Sequence, residues 1–138
     1  MLDYFYKLIC CRNKFFLIFI SIFFLNSYSS ADSKLQQKYT KDLHNWINNP
    51  EMNESSIRQK VQAPCSKLTM VMATASERKS FISHENIEEY DFRAGFCMSA
   101  VIENVVPNQP GFTKELKEGV CRESIPFIKL ICKEFIKY

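Results

Sequence analysis

The chain has 138 residues, of which 46% are hydrophobic and 24% are charged, and its formal net charge is +3. This length accommodates one domain with a single hydrophobic core and is too short for two domains of ordinary size. The small net charge excludes the strong positive field typical of nucleic-acid-binding proteins, so we expect no nucleic-acid partner.

Residues 1–31 have the three-part pattern of a secretory signal peptide. An apolar core at positions 15–25 follows a basic segment and precedes small polar residues that end at Ala31. A membrane-spanning helix needs about 20 apolar residues, so this core is too short for a stable span. We expect cleavage after Ala31, and the alternative is an uncleaved signal-anchor or interfacial helix.

Export would leave a single mature domain, residues 32–138, that is secreted or periplasmic. Loss of Lys7, Arg12, Lys14 and Asp3 reduces the 18 basic and 15 acidic side chains to 15 and 14, a net charge of about +1. The mature domain would therefore have no strong field for a polyanion and no stable membrane span.

Four of the six cysteines lie beyond residue 31, namely Cys65, Cys97, Cys121 and Cys132. An even number of cysteines in a small exported domain predicts two disulfides. The alternative is four reduced thiols in a cytosolic protein, which also requires the signal-peptide prediction to fail. No two of these cysteines have the short gap typical of structural zinc sites, so we expect no metal site.

Apolar residues recur at spacings of three and four, and the chain has only three glycines, which predicts an all-α bundle of four to five helices. The first helix should begin after Ser33 and end at residues 48–50. A second helical run should be capped by Asn53 or Ser56, with Pro64 causing a kink or separating two short helices. A turn is expected at residues 80–83.

The third predicted helix starts after Ser83 as its N-cap and has an apolar stripe from Ile87 to Val105. Its early acidic residues are favoured by the helix dipole. Residues 106–112, with two prolines and a glycine, form the clearest predicted loop. Behind it, helical spacing continues to Phe135 with a bend at Pro126.

The helical spacing also predicts how the cysteines pair. Cys121 and Cys132 would lie roughly 16 Å apart on one continuous helix, whereas the Cα atoms of a disulfide lie within about 7 Å. A hairpin centred on Gln109 would place Cys97 opposite Cys121, so we expect Cys97 to pair with Cys121 and Cys65 with Cys132. A sharp break at Pro126 would instead turn the last two cysteines toward each other, and four cysteines allow three pairings.

The residues that could perform catalysis are few. The segment from His84 to Glu88 begins like the HExxH helix of zinc proteases, but Glu88 stands where the second histidine is needed. His84 and Glu88 could still share a helix face as two metal ligands, and the more common alternative is an exposed histidine at a helix start. His44 fits a surface or partly buried position. We therefore expect no enzyme activity and no cofactor.

Phe92 and Phe96 are four residues apart and lie off the main apolar stripe of the third helix. They could form an exposed apolar patch for a partner, or the helix could be central and buried on two sides. The predicted function is an exported helical binding protein that acts through protein–protein interaction, such as an inhibitor, an immunity-type protein or an envelope accessory protein. Alternatives are a carrier of a small apolar ligand and, with less support, a metal-dependent hydrolase at His84 and Glu88.

Overall fold

The computed structural model describes residues 32–137, and the predicted signal peptide lies outside these residues. Residues 35–138 form one compact unit, and the fold below is that of this unit together with the first residues of α1. Within the described residues there are six α-helices and no strand. They are α1 (32–47), α2 (Glu54–Met72), α3 (Ala75–Ile82), α4 (Ile87–Glu103), α5 (Lys114–Cys121) and α6 (Pro126–Phe135).

The all-α class is thus confirmed, with six helices where four or five were expected. In the part of the chain described here, no helix has the length and apolar character needed to cross a membrane.

The start of α2 follows the predicted capping chemistry. The Asn53 side chain accepts a hydrogen bond from the Ser56 backbone N–H, and the Ser56 hydroxyl accepts one from the Asn53 backbone N–H. The helix then continues through Pro64 as one element, so two short helices do not form. The buried side chains of Ile57 and Val61 precede Pro64, and this packing compensates for the backbone hydrogen bond that proline lacks.

Two helix boundaries differ from the sequence prediction. Residue 32 is already helical, so Ser33 is not the N-cap of α1. The predicted turn at residues 80–83 is largely the last part of α3, which starts with a capping box between Thr74 and Glu77. Ser83 is the C-cap of α3, and α4 begins three residues later than expected, after Asn86.

Helix α4 is at the centre of the bundle, where it packs against α2, α3 and α6. The core consists mainly of aliphatic and aromatic side chains from α1, α2, α4 and α6, with Val120 of α5 and Phe112 of the preceding loop at its edge. Those that are at most 2% exposed include Leu43, Ile57, Val61, Leu68, Val101, Ile102, Phe127, Ile128 and Ile131.

All four cysteines are in disulfides, but the predicted pairing of Cys97 with Cys121 and of Cys65 with Cys132 is wrong. Cys65 bonds to Cys97 and joins α2 to α4, with 5.7 Å between the Cα atoms. Cys121 bonds to Cys132 and joins α5 to α6, with 5.9 Å between the Cα atoms.

The pairing differs because α5 and α6 are separate helices. The residue before a proline is restricted to extended backbone, and Ile125 has φ −61° and ψ 123° immediately before Pro126. The chain therefore reverses between Cys121, at the end of α5, and Cys132 in α6. Cys97 faces α2 instead, because α4 packs along α2 rather than forming a hairpin with α5.

A buried arginine connects α3 to α4. Arg93 is 4% exposed, and its guanidinium donates to Glu77 at 2.7 Å and to Glu89 at 2.6 Å. The guanidinium also lies 5.6 Å from the centre of the Phe81 ring, a cation–π distance. Every charge in this cluster has an opposite partner, as burial of an arginine requires.

This cluster makes stability depend on pH. The hydrogen bond from Arg93 lowers the pKa of Glu77 below its usual value of 4.5. A lowered folded-state pKa contributes stability above the unfolded-state pKa, and this contribution is lost as the pH falls through the folded value. We expect Glu77→Gln to cost about 1–2 kcal/mol at pH 7 and much less near pH 3, as measured by urea unfolding at both pH values.

The exposed Glu115, which has no ion pair in the described chain, supplies the control for this measurement. Glu115→Gln should change the free energy of unfolding by less than about 0.5 kcal/mol at either pH. An equal cost of Glu77→Gln at pH 7 and pH 3 would contradict the role of its ionised carboxylate.

Candidate binding groove

The two predicted partner-binding residues have different environments. The Phe92 side chain is 45% exposed, whereas Phe96 is 5% exposed and belongs to the core. The two rings are stacked with their centroids 6.3 Å apart, and Phe96 contacts Phe112 edge-on at 5.7 Å. Of the two alternatives that the sequence left open, exposure holds for Phe92 and burial holds for Phe96, whose ring packs beneath that of Phe92.

These rings lie in an open groove of about 330 Å³ between α4, the loop before α5, and the start of α5. Phe92 and Leu116 are its large exposed hydrophobic side chains, the latter 42% exposed. The lining residues are Asp91, Phe92, Gly95, Phe96, Ser99, Pro110, Gly111, Phe112 and Leu116.

Hydrogen bonds fix the loop that forms one wall of the groove. Arg58 on α2 donates to the Gln109 side-chain oxygen at 2.7 Å, and the Gln109 amide donates to the Val106 carbonyl at 2.9 Å. Gly111 has φ +76°, a left-handed conformation that favours glycine and directs the chain into the buried Phe112. This wall is therefore formed before any partner binds.

Gly95 provides the open space in the α4 wall. Apart from the backbone of its own helix turn, a Cβ atom added at this position would have no atom within 4 Å, so packing inside the protein does not require glycine here. A glycine inside a helix costs about 1 kcal/mol relative to alanine. The same is true of Gly119 on α5, which is not among the groove residues.

The acidic residue on the α4 wall has no ion pair among the described residues, whereas the lysines of α5 are already paired with glutamates. Asp91 lines the groove, is exposed, and has no ion pair within the described chain. On α5, Lys117 bonds both carboxylate oxygens of Glu103 at 3.0 Å, and Lys114 lies 3.7 Å from Glu118. The exposed carboxylate of Asp91 is thus not neutralised by a lysine of the opposite wall.

Neither histidine lies in an arrangement that matches a metal-binding or catalytic site considered from the sequence. His84 has φ +62° and lies in the turn at residues 83–86, so it does not share a helix face with Glu88. His44 bonds to Glu134 at 3.0 Å and contacts the Phe135 ring at 4.7 Å, which links α1 to α6. Over residues 32–137, no group of three or more His, Cys, Asp or Glu side chains is arranged to hold a metal ion.

Sequence reasoning missed Gly95, Leu116 and Asp91 as groove residues. Leu116 fitted the apolar stripe of a continuous last helix, and Asp91 was explained by the helix dipole. Gly95 was the available signal, because glycine is unfavourable inside a helix, but the equally open Gly119 lies outside the groove, so this signal does not by itself identify the site.

The chain matches no protein-family model, no curated protein and no solved structure.

Proposed function

We propose that this protein is an exported binding module that holds a large apolar side chain of a protein partner in the groove between α4 and α5. The observation that carries the proposal is the exposed Phe92 beside Gly95, an apolar surface next to an unfilled space. The two disulfides support export, since such bonds persist mainly in oxidising compartments.

Burial of the groove's exposed hydrophobic surface would contribute to binding, and the protein would lose little conformational entropy. Covering the exposed parts of Phe92 and Leu116 would contribute about 1 kcal/mol each, roughly half the value for full burial of such side chains. Because Phe96 and Phe112 are already buried beneath the surface, little of the protein has to be ordered on binding. Aromatic side chains at the centre of such a patch are typical hot spots.

A protein side chain fits this groove better than a carried small molecule. Binding sites for small ligands have volumes of about 300–1,000 Å³ and enclose most of the ligand surface. This groove is near the lower end of that range and is open to solvent. It would leave much of a lipid-sized ligand in water, which disfavours the carrier alternative.

The proposal predicts that Gly95→Leu weakens partner binding without weakening the fold. The leucine would fill the groove, and it has a better helix propensity than glycine by about 0.8 kcal/mol. We expect at least a tenfold loss of a photo-cross-link formed in the source cells by a photoreactive residue at position 92, with no decrease in Tm.

Gly119→Leu is the matched control, because Gly119 is also an open helical glycine but is not in the groove. It should leave the cross-link unchanged. A photoreactive residue at Ile82, which is 70% exposed on α3, should not capture the same partner. A cross-link that survives Gly95→Leu, or an adduct to a small molecule in place of a protein, would overturn the proposal.

A further inference from the structure

We infer that the partner segment bound in the groove presents a lysine or arginine close to its apolar side chain. This inference rests on the proposed function and adds the chemistry of the partner. The observation behind it is Asp91, which is the one charged residue among those that line the groove and has no ion pair in the described chain.

No hydrogen bond or ion pair within the described chain accounts for Asp91 at this position. Favourable interaction of an acidic side chain with a helix dipole is limited to the first turn, and Asp91 is the fifth residue of α4. Glu89 in the first turn is bonded to Arg93, so it already has a structural role. Asp91 has no such partner in the described chain, although it lines a surface where an apolar residue would add contact area.

A second carboxylate reinforces the charge at this end of the groove. Glu88 is exposed, has no ion pair in the described chain, and precedes Phe92 by four residues, about one helical turn. The two lysines of α5 do not compensate, since they pair with Glu103 and Glu118. The α4 end of the groove therefore has a negative potential, although the whole chain has a net charge of +3.

The distance between Asp91 and Gly95 sets the spacing between the cation and the apolar side chain of the partner. Asp91 and Gly95 are separated by one helical turn, about 6 Å, so a cation at Asp91 and an apolar group beside Gly95 belong to nearby residues of one segment. Arginine suits the site because its planar guanidinium can bond a carboxylate and also stack on an exposed ring such as Phe92.

Synthetic peptides with the full chain test this inference. Three fluorescein-labelled ten-residue peptides would each contain one Phe and one Leu, with two flanking positions occupied by Arg, Gln or Glu. Fluorescence anisotropy at about 0.15 M salt should show the Arg peptide binding roughly two- to fivefold more tightly than the Gln peptide. The difference should shrink at about 1 M salt, where the Debye length is about 3 Å.

Asp91→Asn should reduce the preference for the Arg peptide over the Gln peptide, and the double variant with Glu88→Gln should abolish it. Asp91→Arg should transfer the preference to the Glu peptide. Glu51→Gln removes an exposed carboxylate that does not line the groove, so it should leave all three affinities unchanged. Phe92→Ala should weaken every peptide regardless of its charge, which reports on the groove itself.

The outcomes separate the two proposals. If all three peptides bind equally and Phe92→Ala weakens them, the groove functions as proposed and the requirement for a cation is wrong. If the charge preference is undiminished in Asp91→Asn, the cation binds elsewhere and the inference is also wrong. If no peptide binds at all, the inference fails, and the cross-link at position 92 decides separately whether the groove has a protein partner.

Discussion

Replacement of both Cys65 and Cys97 by alanine is expected to lower the free energy of unfolding by about 4 kcal/mol. The disulfide closes a loop with a sequence separation of 32, and loop-closure entropy alone predicts a loss of about 3.7 kcal/mol. Both residues are 0% exposed, so removal of the sulfur atoms also leaves unfilled core volume. Domains are typically stable by only about 5–15 kcal/mol, so this loss is large.

Replacement of both Cys121 and Cys132 by alanine is the matched comparison. This bond closes a loop with a sequence separation of only 11, which predicts a smaller loss of about 2.8 kcal/mol. Urea unfolding of both variants gives the two free energies. Mild reductant followed by alkylation should label Cys121 and Cys132 first, because Cys121 is partly exposed. A larger loss for the shorter loop, or earlier labelling of Cys65, would contradict this ranking.

The second large effect is expected for Arg93→Met, which should destabilise the fold by about 2–3 kcal/mol. The methionine retains part of the buried stem but leaves Glu77 and Glu89 without their shared cation. Removal of one partner from a buried ion pair typically costs 3–5 kcal/mol. We expect a smaller loss here, because the two carboxylates are 32% and 31% exposed and can gain water.

Lys114→Met removes a cation from an exposed ion pair and is the control for this prediction. Lys114 is 78% exposed and lies 3.7 Å from Glu118, so its loss should change the free energy of unfolding by less than about 0.5 kcal/mol. Urea unfolding at neutral pH measures both variants. Equal effects of the two substitutions would show that burial of Arg93 adds nothing to the interaction.

These two stabilising features also hold the groove in place. Arg93 fixes α4 to α3 on one side of Gly95, and Cys97 fixes α4 to α2 on the other side. Both attachments lie within the part of α4, residues 91–99, that lines the groove, so this wall is held against two neighbouring helices. A rigid wall reduces the entropy lost on binding, which is consistent with a preformed site for a partner side chain.

The sequence by itself determined the helical class, the use of four cysteines in disulfides, and the capping of α2. These features depend on local chemistry, since apolar spacing, cysteine content and the reach of the Asn53 side chain are properties of neighbouring residues. It also identified Phe92 as a residue outside the main apolar stripe, because position on a helix face follows from spacing.

Only the tertiary structure decided the disulfide pairing, the burial of Phe96 and the shape of the groove. Each depends on which helices pack together, and sequence spacing fixes faces within a helix but not the neighbours of those faces. Cys97 faces α2 because α4 packs along that helix, and Phe96 is buried because Phe112 covers it from a loop. The openness at Gly95 likewise exists only because no side chain from another element fills that space.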